Sequence, residues 1–139
     1  MRNVLVLAIL IQFLVAGQAL AGDAEVKSAQ ATIEAQLKAF QADDAAGAYA
    51  LAAPSIKRIF PTVEAFMSMV ESGYMPVRRP RSYSFGKSQE MGPAAIAQQV
   101  LLVGPDGKDY EAVYTLELQP DGNYRITGCS LSASNALSI

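Results

Sequence analysis

Three arginines within four positions, Arg78, Arg79 and Arg81, form the densest charge feature of the chain, with Tyr74 and Tyr83 on either side. A guanidinium holds a carboxylate or phosphate through two parallel N–H bonds, so the cluster is a candidate anchor for an acidic ligand. Read as an extended segment, alternation divides it. Arg79 and Arg81 share a face with Tyr83, and Arg78 takes the other face. The same residues, with Pro80 among them, also suit protection of a sheet edge by charge.

The other reactive groups have ordinary work to do. Asp106 and Asp121 sit in turns, and Asp43 reads as a helix cap. Glu111 and Glu117 alternate away from Tyr110, Tyr114, Leu116 and Leu118, so they point to water if the apolar face is buried. Cys129 is the single cysteine, beside Gly128, and reads as a small packed hydrophobe. Tyr49, Phe66, Tyr83 and Tyr114 suit the lining of an apolar ligand cavity, and equally the filling of a core. The chain has no histidine. That rules out Ser-His-Asp and Cys-His activation, histidine-ligated zinc or haem, and the usual base near neutrality. No catalytic residue, metal ligand or cofactor site is assigned. The candidate ligand-binding set is Tyr49, Phe66, Arg79, Arg81, Tyr83 and Tyr114.

The beginning of the chain carries an address. Arg2 precedes an apolar run from Val4 to Ala16, broken only by Gln12, and Ala19-Leu20-Ala21 fits the small-x-small pattern before a signal-peptidase cut. The run is shorter than the roughly 20 apolar residues that span a bilayer. The expected division is a signal peptide over 1–21 and one domain over 22–139, exported to the periplasm or secreted, with no membrane attachment after cleavage. The net charge of −2 gives no electrostatic drive toward nucleic acid. With one cysteine, no internal disulfide forms.

Helices come first and strands second. Val26, Ile33, Leu37 and Phe40 lie on one stripe of a helix over about Ala24 to Gln41. Asp43 is expected to cap an alanine-rich helix that ends before Pro54. Thr62 caps a third, with Val63, Phe66, Met67 and Val70 as its stripe and Gly73 at its stop. From Val77 the period becomes two, through Arg79, Arg81 and Tyr83 to Phe85, with Pro80 marking an edge or bulged strand. Ala94 to Val103 is a nearly continuous apolar run. Pro105-Asp106-Gly107 and Pro120-Asp121-Gly122 then turn the chain on either side of Lys108 to Gln119, and Tyr124 to Leu131 completes an antiparallel meander. A strand from Lys108 to Gln119 would be about 40 Å long at about 3.3 Å per residue. In a small domain such a ribbon must curl, through a bulge, around the helices.

Taken together, this α+β order resembles the nuclear transport factor 2-like (cystatin-like) superfamily, a cone of helices packed against a curved antiparallel sheet. More narrowly, Ile33 to Phe40, Asp43 to Ala46, Tyr74 to Val77, Arg79-Pro80-Arg81 and Asp121 to Ile126 resemble the bacterial domain-of-unknown-function family numbered 4864. That resemblance implies a fold and carries no activity. The expected role is non-enzymatic binding of a small apolar or acidic ligand, or of a protein partner. The alternative is an isomerase- or hydrolase-type enzyme with a tyrosine and a carboxylate inside the cone. Superfamily habit and the alternating sheet faces also suggest a homodimer through the sheet.

Overall fold

In the computed structural model, residues 16–134 are described. The apolar run proposed as a signal lies almost wholly outside the described residues, and α1 (Ala16–Gln41) continues through Ala21. Among the described residues, no helix is long and apolar enough to cross a membrane.

The stripe on α1 buries Ala29, Ile33, Leu37 and Phe40, while Val26 stays half-buried. The helix ends because Asp43 turns left-handed at φ 57°, letting the Asp44 amide reach back to the carbonyl of Ala39 at 2.8 Å. Asp43 is therefore spent on closing α1. The cap of α2 (Ala45–Ala50) falls instead to Asp44, whose carboxylate accepts from the Gly47 amide at 3.0 Å. This corrects the expected cap by one residue. Pro54 opens α3 (Pro54–Ile59), where its missing N–H costs nothing. Thr62 caps α4 (Val63–Gly73) as expected, accepting from the Ala65 amide.

The extended segment expected from Val77 is not there. Met75 to Arg78 form a single helical turn, α5, and the first strand begins only at Ser82. Pro76 in the first turn tolerates helix, and the arginines find fixed carbonyl and carboxylate partners that alternation cannot reveal.

Strands β1 (Ser82–Glu90), β2 (Ala95–Val103), β3 (Asp109–Leu118) and β4 (Tyr124–Ala133) form an antiparallel meander in that spatial order. Gly107 and Gly122 take φ of 78° and 86° in the two expected turns, a region closed to most side chains. The ladders carry two irregularities of the kind expected of a bulge. One lies between Phe85 and Ser88, and the other displaces the β3–β4 register at Thr115 and Leu116. Gln98, fully buried on the core face, serves the first. Its amide donates to the carbonyls of Gly86, Lys87 and Gln99 and accepts from Gln30. A buried amide is tolerated because its hydrogen-bonding capacity is used.

The core joins Ile33 and Leu37 of α1 to Ile96, Val100, Ala112, Tyr114 and Leu116 of the sheet. Burying each large aliphatic contributes about 1.5–3 kcal/mol. Glu111 and Glu117 lie on the opposite face, as alternation predicts. The segment between α2 and α3 is fastened to β4, with the Ala53 amide donating to the Ile126 carbonyl at 2.7 Å and the Ile126 amide to that of Leu51 at 2.9 Å. This bridge covers part of the β4 edge and fixes α3 over the sheet.

Candidate functional site

Between α1, α3, α4 and α5 on one side and β3–β4 on the other, the core leaves a cavity of about 240 Å³. Phe40, Phe66, Val70 and Ile126 give it an apolar wall, with Gln36, Tyr114 and Cys129 as its polar members. Half-buried Ile56, Phe60, Met69 and Tyr74 stand at its rim. The α1 stripe, the Thr62-capped α4 and the Ala52–Ile126 bridge position its walls.

Tyr114 and Cys129 are register partners across β3 and β4. Tyr114 is 1% exposed, and its phenol oxygen has no hydrogen-bond partner among the described residues. A thiol is only a weak partner for it. Burial, with the neighbouring thiol adding to it, holds the Tyr114 hydroxyl well above the ordinary tyrosine value. Burial also pushes the Cys129 thiol up to about 12, opposed only in part by Tyr114. Both groups stay protonated at neutral pH, so neither supplies a base or a thiolate nucleophile. Tyr74 has a fixed role, its hydroxyl donating to the Cys129 carbonyl at 3.1 Å. The Gln36 amide is likewise engaged, donating to the Ala48 carbonyl at 3.2 Å. Among the described residues, no carboxylate or cation lines the cavity.

Two of the six residues singled out from the sequence, Phe66 and Tyr114, line the cavity together. Tyr49 stands behind the wall, its ring tilted against Phe66 with centroids 5.3 Å apart and its hydroxyl donating to the Phe60 carbonyl. Tyr83 belongs to the core-facing side of the sheet, opposite Leu102, but packs edge-on against Phe85 rather than at the cavity. The shared strand face proposed for Arg79, Arg81 and Tyr83 is overturned, because Arg79 and Arg81 precede the strand. Arg79 instead clamps the end of α1, donating to the carbonyls of Phe40 at 2.9 Å and Gln41 at 3.1 Å and to the Asp43 carboxylate. Arg81 donates to the Pro105 carbonyl at 2.9 Å.

Arg78 sits in a separate polar cleft with Asp43, Asp44, Glu64 and Glu71, where it pairs with Asp43 and Glu71. Those pairs tie α4 and α5 to the α1–α2 turn, and being partly exposed they add little stability. The cavity residues missing from the sequence set are chiefly Tyr74, Cys129 and the aliphatic wall. Helical spacing marked Val70 as core, but no local signal distinguishes a core position beside a void from one that is filled.

The family model described as Domain of unknown function (DUF4864) matches the chain over residues 23–139. No curated protein and no solved structure matches the chain.

Proposed function

The chain belongs to the DUF4864 family of domains of unknown function, and we propose that it is an exported small-molecule-binding domain with the helix–sheet cavity as its site. An apolar cavity of about 240 Å³ between α4 and β3–β4 supports this reading. Voids larger than a water molecule are few in a folded interior, and one with a rim of half-buried side chains is a natural binding site. Binding is favoured over catalysis by the chemistry of the wall. Its buried phenol and thiol are both held protonated, and its remaining lining is apolar apart from one engaged amide and the rim tyrosine. Helices followed by a four-stranded antiparallel meander with two register irregularities are compatible with the nuclear transport factor 2-like arrangement. The short apolar run before Ala19-Leu20-Ala21 supports export, with Gly22 as the first residue of the mature protein.

A thermal-shift screen with single-ring and short-chain molecules tests the binding reading. A ligand at a hundredfold excess over Kd adds about 2.7 kcal/mol, several degrees for a domain of this size. Val70→Phe and Ala52→Leu, which enlarge two side chains lining the cavity, should abolish the shift. Shifts of equal size in the filled variants, or none in the parent protein, would contradict it.

A further inference from the structure

Resting on the reading of the cavity as a binding site, we infer that its ligand is neutral and apolar, a single ring or short chain whose one hydrogen-bond-accepting oxygen meets the Tyr114 phenol. A buried hydroxyl without a partner is destabilising, and native interiors rarely leave one unpaired. Tyr114 is such a group, and it lines the cavity. An occupant that accepts from this hydroxyl removes the penalty, whereas a hydrocarbon leaves it in place. A carbonyl oxygen suits the position, because the phenol is the stronger donor of the Tyr114–Cys129 pair.

Charge excludes the obvious alternative, a carboxylate. Among the described residues, no arginine or lysine lines the cavity. Arg79 and Arg81 are bonded to main-chain carbonyls elsewhere, and the Lys57 ammonium lies 5.3 Å above the Tyr49 ring, behind the wall. An anion entering here would lose its hydration with no countercharge to compensate. Size sets the rest. An apolar cavity of about 150 Å³ accommodates benzene, so 240 Å³ admits one ring with a small substituent. Among the described residues, a second polar end would meet Gln36, whose amide already donates to Ala48, Tyr74, whose hydroxyl already donates to the Cys129 carbonyl, and the Cys129 thiol, a weak partner.

Three probes of matched shape separate the class from the site: toluene, acetophenone and benzoate. Their binding is followed at pH 7.5 by methyl NMR shifts of Met69 and Ile126 in the protein purified from expression of the full sequence. Acetophenone should bind at least tenfold more tightly than benzoate. In Tyr114→Phe, acetophenone should weaken about fivefold relative to toluene, the loss of one neutral hydrogen bond. Using the ratio of the two probes removes any general effect of the substitution on the fold. Benzoate binding as tightly as acetophenone, or an unchanged acetophenone-to-toluene ratio in Tyr114→Phe, overturns the ligand class while leaving the binding site intact. Failure of all three probes to move either methyl group overturns the binding reading, and the class falls with it.

Discussion

Tyr114 and Cys129 face each other across the β3–β4 ladder, and the phenol buried there has no hydrogen-bond partner among the described residues. Tyr74, from the start of α5, closes over the same strand, but its hydroxyl is satisfied by the Cys129 carbonyl. Two tyrosines therefore border one cavity in opposite energetic states.

That difference predicts opposite effects from the same substitution. Tyr74→Phe removes a made hydrogen bond and should cost about 1 kcal/mol. Tyr114→Phe removes an unpaired hydroxyl from a buried site and should leave stability unchanged or raise it. Urea unfolding of both variants checks the contrast. Equal losses would mean that the Tyr114 hydroxyl is bonded in solution.

Alkaline pH should weaken the fold through the same pair. The folded Cys129 thiol titrates at about 12 and the Tyr114 hydroxyl lies well above its ordinary value, whereas the unfolded chain ionises them near about 8.5 and about 10. A raised folded value means the unfolded state releases protons first. The stabilisation is complete below about pH 8 and is lost as pH rises toward 12. Urea midpoints at pH 7.5 and 10.5 should fall in the parent protein and fall less in Cys129→Ala. An identical fall in both would show that the thiol takes no part.

Arg79 is expected to matter for the fold rather than for a ligand. Arg79→Lys cannot reproduce the fork that reaches Phe40, Gln41 and Asp43 together, and should cost about 1 kcal/mol after allowance for its partial exposure. Arg81→Ala, an exposed residue with one carbonyl partner, should stay within about 0.5 kcal/mol of the parent. Thermal unfolding of the two variants distinguishes a clamp from a surface charge.

The cap of α2 offers a test of register. Asp44→Ala should cost about 1 kcal/mol by freeing the Gly47 amide. Exposure of that amide to faster hydrogen exchange would accompany the loss. Unchanged exchange at Gly47 would return the cap to Asp43.

These two aspartates show where sequence pattern stops carrying information. The meander was legible because each turn has its own chemistry, Pro-Asp-Gly twice, and because Tyr110, Ala112, Tyr114 and Leu116 alternate without a break. The α4 helix was legible from Thr62 and a four-residue stripe. Asp43 and Asp44 are equally good caps in isolation, and only the left-handed closure of α1 decides between them. Arg79 misled for a related reason. Its alternation with Arg81 resembles a strand, but its position follows from carbonyls at the end of a helix thirty-odd residues earlier. Alternation placed Tyr114 on the core side and could go no further. Whether that side is filled depends on the summed volumes of four helices and two strands, a property of the assembled core that no local spacing expresses.

The space beside Tyr114 and Cys129 is expected to admit a small apolar molecule. Crystals of the protein soaked in bromobenzene test this directly, because the anomalous signal of bromine locates the ring without assumption. A peak enclosed by Phe66, Val70, Tyr114 and Ile126 is expected, with the surrounding main chain unmoved. A structure in which Phe66 and Tyr114 have closed on each other, with no bromine between α4 and β3, would contradict it.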